Sequence, residues 1–256
     1  MLKSSLIQLL FFCMPLSIYC SGDEIDSPDS VIVEEDGLQM KKETEHFSFY
    51  VDTIEQEYLN LIAEYLEENC LRINSELKAG SIPRVKMKLW RSSEQFYEVM
   101  VEKTGTLYNG ATGYVSGSLE CCMLSSNYSV LDSKTALHEY AHIVSIFVNS
   151  SIPNNPRWLW EAAALYVTGD FVDPASLQYM AAGDFPTIAE LNIGYNDGFQ
   201  KIYAVGYILA EYIVEHWTID YFIQLIKANG DIENVLGLGV EEFEEKWHEY
   251  IRGKYF

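Results

Sequence analysis

Basic residues are scarce in this sequence. Lys and Arg number 17 against 38 Asp and Glu in 256 residues, a formal charge of -21 at pH 7. Such a balance repels phosphate backbones, so nucleic acid is excluded as an expected partner. Cysteine is sparse as well. Of the five, Cys13 and Cys20 fall in or beside an N-terminal apolar stretch, leaving Cys70, Cys121 and Cys122. An odd number with two neighbours adjacent and no Cys-x-x-Cys spacing excludes a disulfide framework and a thiolate metal site. A bridge from Cys70 to Cys121 or Cys122 and three buried free thiols both stay open. With 7 Pro and 16 Gly the chain is neither collagen-like nor of low complexity. No internal repeat is visible, and no apolar run reaches the length of a membrane span. What is plentiful is apolar surface: 48% hydrophobic and 14% aromatic residues, enough to build a core over one large domain or two small ones.

The N-terminus reads as an export signal. Lys3 precedes the mostly apolar run Leu6 to Tyr19, which has the length of a signal core. We assign residues 1–22 to this signal, 23–43 to an acidic tether and 44–256 to the folded domain. Two cleavage readings are open. Ordinary signal peptidase can cut after Gly22. Alternatively Cys20 becomes a lipid-modified first residue, since Leu16 to Gly22 resembles a loose lipobox with bulky Tyr19 where a small residue is usual. The expected location is therefore the periplasm or cell envelope, otherwise secretion, with membrane contact only through a lipid anchor at Cys20.

Order is expected from about His46. Phe47-Ser48-Phe49-Tyr50-Val51 suggests a strand. Ile54 to Leu77 carries apolar residues at helical spacing, and Val85 to Trp90 alternates like a half-buried strand. Ser92 or Ser93 can cap a helix over 94–103. Short strands are predicted at Gly113–Val115 and Glu120–Ser125, with Cys121 and Cys122 on opposite faces. Beyond a cap at Asp132 or Ser133, the chain reads as helices over 134–149, 157–168, 187–191, 199–217, 218–228, 232–236 and 241–252. The fold class is α+β: a strand-and-helix half over 44–149 and a helical half over 150–256.

The chemistry concentrates in the first of those later helices. His138-Glu139-Tyr140-Ala141-His142 puts two imidazoles one turn apart on one helix face, close enough to share a small cation. Glu139 lies about 100° further round and can reach a water beside that cation. Zinc in catalytic sites takes three protein ligands and leaves a fourth position open. Pro153 and Pro156 break the chain before a second helix from Arg157, and this reversal brings Glu161, one turn in, toward the histidines.

These residues resemble a known family. His138-Glu139-x-x-His142 followed by Pro156-Arg157-Trp158-Leu159-Trp160-Glu161-Ala162-Ala163-Ala164-Leu165-Tyr166 is similar to the peptidase MA-like zinc metallopeptidases of gluzincin type, whose second motif has the form Pro-x-Trp-Leu-x-Glu-Gly-x-Ala-x-Tyr. The resemblance extends more loosely upstream, through Val85–Trp90 and Gly110–Tyr114, and downstream, from Tyr203 to Trp217 and over Glu242–Trp247. It implies a zincin-like fold with the active-site cleft between sheet and helical subdomain. It also implies one catalytic Zn2+ held by His138, His142 and Glu161, with Glu139 as general base in hydrolysing a peptide or protein substrate. Ala162 replaces the usual Gly. Leu165 stands where thermolysin-like enzymes carry a carboxylate that orients a ligand histidine, so the imidazoles need another acceptor.

Tyr203 is the expected donor to the oxyanion, with His216 as the alternative, and the Glu120–Ser125 strand is the expected edge for an extended substrate. Two other functions fit the sequence: a catalytically silent binding or scaffold protein of the cell envelope, and a zinc amidase acting on cell-wall peptides.

Overall fold

A computed structural model describes residues 36–125 and 130–256. The expected signal at 1–22, Cys20 and the tether as far as residue 35 lie outside the described residues.

The sheet grows around two buried strands. Strand β2 (Phe47–Val51) is buried along its whole length, and β3 (Val85–Trp90) pairs with it in parallel. A parallel pair needs a long crossover. Helix α1 (Gln56–Glu76) provides it, with Tyr58, Leu59, Ile62, Leu66, Cys70 and Ile73 turned into the core. Before β2 runs β1 (Gln39–Glu43), antiparallel to it, a strand inside the segment expected to be tether. Order thus begins earlier than His46. Leu38 is buried there, and the backbone of a strand with polar Lys41, Lys42 and Glu43 is satisfied by its neighbour.

Helix α2 (Ser93–Thr104) follows β3; Ser92 caps it as expected, accepting from the Gln95 N–H at 3.3 Å. Strands β4 (Gly113–Val115) and β5 (Glu120–Leu124) then complete a five-stranded mixed sheet in the order β1-β2-β3-β5-β4. The expected edge at Glu120–Ser125 is corrected here. β5 is internal, paired on both sides, and β4 forms the edge.

Both faces of the sheet are covered. Phe47, Phe49, Met87, Leu89, Cys121 and Met123 join the main core, whereas Tyr50, Trp90 and Cys122 join a smaller one with Leu38, Phe96, Met100 and Tyr114. The two adjacent thiols therefore do occupy opposite faces, and Cys70, Cys121 and Cys122 are all free and buried. β3 is not half-buried as its alternation suggested. Lys88 is only 3% exposed, clasped by Asp36 and Glu120 at 2.9 Å each.

The helical part starts with α3 (Val130–Val148). Asp132 is in its first turn, not before it, and accepts hydrogen bonds from Ser125 Oγ at 3.0 Å and from Tyr58. Helix α4 (Arg157–Thr168) is buried from Arg157 to Leu165, hence apolar on nearly every side. A short 3-10 turn (Pro174–Ser176) and the single-turn helices α5 (Gln178–Ala181) and α6 (Ile188–Leu191) lead to α7 (Ile202–Trp217). A Cβ at Gly206 would lie 2.7 Å from Leu165 Cδ1 and 3.3 Å from the Ala162 Cα, so glycine there lets α7 lie directly on α4. Helices α8 (Ile219–Lys227), α9 (Ile232–Leu236) and α10 (Val240–Tyr255) close the fold. The main core runs from Phe47 to Ile251, and the described residues belong to a single compact unit that holds both expected halves. Among the described residues no helix is long and apolar enough to cross a membrane.

Candidate metal centre

Helices α3 and α4 pack against each other, and the site lies where they meet. His138 Nε2 stands 3.4 Å and His142 Nε2 3.5 Å from the same oxygen, Oε2 of Glu161. One ligand atom from each residue lies within 4.8 Å of the others. The two imidazoles meet edge to face with ring centroids 4.7 Å apart, as one-turn spacing dictates. Trp160 stacks flat on His142, centroid to centroid 4.0 Å with 8° between planes, and fixes that ring.

Glu161 is 3% exposed, and its two oxygens have different surroundings. Oε1 accepts from the Tyr203 hydroxyl at 3.1 Å and faces Arg157 Nη1 at 3.3 Å. Oε2 is buried with no hydrogen-bond partner among the described residues, facing only the two imidazoles. Both contacts are longer than a good hydrogen bond, so this oxygen's acceptor capacity is not fully used within the protein. Two imidazole nitrogens and one such oxygen, converging from buried and half-buried positions, form a donor set suited to a transition-metal cation. The residues present fit the group.

Electrostatics distinguish the two histidines. Burial opposes charge on His138, but the Glu161 carboxylate outweighs it and the pKa is raised. Burial dominates for His142, helped by the neighbouring His138 and Arg157, and pushes it down to about 4. Glu161 is itself held well below the carboxylate range, because the facing imidazoles overcome its burial. His142 Nδ1 is buried with no hydrogen-bond partner among the described residues, so the further acceptor that the sequence reading asked for is not seen at this ring.

Glu139 lies beside this set and does not join it. It is 6% exposed, and burial pushes its carboxyl up to about 8. Strand β4 closes over it: a Cβ added at Gly113 would sit 2.7 Å from the Glu139 carboxyl carbon. All four expected residues line one cleft of about 410 Å³, together with Gly113, Tyr114 and Val115 of β4 and the aromatic walls Tyr108, Trp160 and Tyr195. Tyr203, expected as an oxyanion donor, is on that wall too, with its hydroxyl proton directed to Glu161 and Arg157 Nη2 donating to its oxygen at 3.0 Å. His216 is elsewhere, at the C-terminal end of α7, where Nδ1 meets the Tyr212 carbonyl at 2.9 Å.

Sequence reasoning missed the residues that support the set. Arg157, 6% exposed, is bound through Nε to Gln200 Oε1 at 3.2 Å and through Nη1 to Asn154 Oδ1 at 3.0 Å. The N-cap position of α4 is Pro156, which offers no side-chain acceptor. Asn192 Oδ1 serves instead, accepting from the Arg157 N–H at 2.8 Å. The i, i+4 spacing of Arg157 and Glu161 was the one signal present in the sequence.

A second trio, His46, Glu67 and Cys70, also brings ligand atoms within 4.8 Å. Its carboxylate is already committed: Oε1 accepts from the His46 N–H at 2.9 Å and Oε2 meets His46 Nδ1 at 2.6 Å. Burial, with Glu67 nearby, pushes the Cys70 thiol up to about 11, so it stays protonated. That trio is a clip between β2 and α1.

No protein-family model matches the chain, and no curated protein matches it.

Proposed function

We propose that the protein is a zinc-dependent metallopeptidase of zincin-like fold, exported to the cell envelope or beyond. The observation that carries this reading is the convergence of His138 Nε2, His142 Nε2 and Glu161 Oε2, which accepts no hydrogen bond, in a cleft beside buried Glu139. His138, His142 and Glu161 would hold the ion, which when bound supplies a Lewis acid for the scissile carbonyl and brings a water toward ionisation at neutral pH.

The rest is done by side chains and backbone of this chain. Glu139, lining the cleft under β4, takes a proton from the attacking water and returns it to the departing amine. Trp160 keeps His142 in one orientation. The free edge of β4 offers backbone groups at Gly113–Val115 to an extended peptide, in the manner of strand addition, with Tyr108, Tyr114 and Tyr195 shaping the cleft for side chains.

The test uses the full chain and Glu139→Gln, assayed for zinc content and for cleavage of a broad quenched-peptide library. About one zinc per chain in both is expected, with cleavage lower in the variant by about 10²–10⁴-fold. Zinc without cleavage in either protein supports the silent scaffold, and cleavage confined to cell-wall peptides supports the amidase. Absence of zinc from both, even after reconstitution, removes the site assignment.

A further inference from the structure

We infer that Arg157 and Tyr203 are positioning residues that make Glu161 a one-oxygen ligand. The inference rests on the zinc reading above and concerns how this chain keeps a coordination position open.

A free carboxylate beside a cation can bind through one oxygen or both. Here the choice is made by the neighbours. Oε1 is occupied from two directions, by the Tyr203 hydroxyl at 3.1 Å and the Arg157 guanidinium at 3.3 Å, while Oε2 alone faces the imidazoles. Arg157 cannot swing away. Gln200, Asn154 and Tyr203 each take one of its nitrogens, and its Cζ stands 5.3 Å from the Tyr195 ring centroid and 5.6 Å from that of Tyr203. Gln200 is in turn pinned through Nε2 to the carbonyls of Gly194 at 2.9 Å and Tyr195 at 3.0 Å. The chain of contacts runs from the 194–200 loop to one carboxylate oxygen.

Packing alone does not account for Arg157. It sits in the first turn of α4, at the positive end of the helix dipole, where a cation is disfavoured, and it is buried, which costs more. What repays both is the Glu161 carboxylate four residues on. With Oε1 released, Glu161 could close on the metal with both oxygens and take the position that water needs.

Cobalt(II), substituted for zinc, reports this directly, because four-coordinate cobalt absorbs visible light more strongly than five-coordinate cobalt. The full chain should bind one cobalt with a strong band. Tyr203→Phe and Arg157→Met should bind cobalt at the same stoichiometry with a weaker band, and Arg157→Lys, which restores one donor, should fall between. Chelator competition should show about 10–100-fold weaker binding for Arg157→Met. Should Arg157→Met fail to fold, Tyr203→Phe, which deletes one oxygen from a partly exposed ring, decides the matter. Superimposable bands at equal cobalt content overturn the inference and leave the metal site standing. A full chain that takes up no cobalt overturns the zinc reading, and this inference with it.

Discussion

At Gly113 a missing side chain leaves room for Glu139, the proposed general base. Glycine is not needed there for an unusual backbone angle, since its φ lies outside the left-handed region; it is needed because Glu139 occupies the space a Cβ would fill. Gly113→Ala must therefore displace either Glu139 or the edge strand. A misplacement of about 1 Å at a reacting group costs about 10²-fold in rate. We expect kcat/KM to fall by about that factor in Gly113→Ala while zinc content stays at one per chain, because His138, His142 and Glu161 belong to other elements. Parallel metal analysis and peptidase assays check this; loss of zinc together with activity would mean that β4 supports the ligands themselves.

Among the elements, the sheet carries a buried charge that sets acid stability. Lys88 of β3 lies between Asp36 and Glu120 of β5, and Lys103 of α2 reaches Glu120 Oε1 at 3.1 Å. Burial raises the Glu120 carboxyl, but Lys88 and Lys103 outweigh it and the pKa is lowered. A carboxyl depressed in the folded state contributes stability that is complete above its unfolded pKa of about 4.3 and is lost as pH falls through the folded value. Glu120→Gln should thus cost about 1–2 kcal/mol at neutral pH, since Asp36 still pairs with Lys88. The difference from the unsubstituted chain should shrink below about pH 4. Urea melts across pH check it, and a gap constant with pH would remove the charge from the account.

The elements also show which parts of the fold could be read in advance. Helices α3 and α4 were legible because a one-turn histidine pair and a proline-broken reversal are local patterns. β1 was not, because Lys41, Lys42 and Glu43 look like solvent-facing tether until a neighbouring strand is there to pair with them. Lys88 was misread for a related reason: period-two alternation says which residues share a face, not whether that face is covered. The cap of α4 was beyond local reading, since Asn192 supplies it from 35 residues away. In the site, the proposed ligands and base lie in two short motifs, whereas Gln200, Asn192 and Gly113 reach it through tertiary contacts that no spacing encodes.

At the scale of the whole molecule, the charge of -21 remains to act on whatever approaches the cleft. In the cleft itself, Arg157 Nη1 faces Glu161 Oε1 at 3.3 Å and offsets part of that carboxylate's charge. The surrounding field therefore governs encounter more than chemistry. Fields of this kind raise association rates of oppositely charged ligands by about 10–10³-fold, and salt removes the effect as the screening length shortens to about 8 Å at physiological ionic strength. Quenched peptides carrying Lys and Arg outside the scissile segment should accordingly show higher kcat/KM than matched acidic peptides at low salt. The ratio should fall toward one as salt rises, with kcat unchanged for both. A ratio that ignores salt would place the selectivity in contacts within the cleft, at Tyr108, Tyr114 and Tyr195, and not in the charge of the molecule.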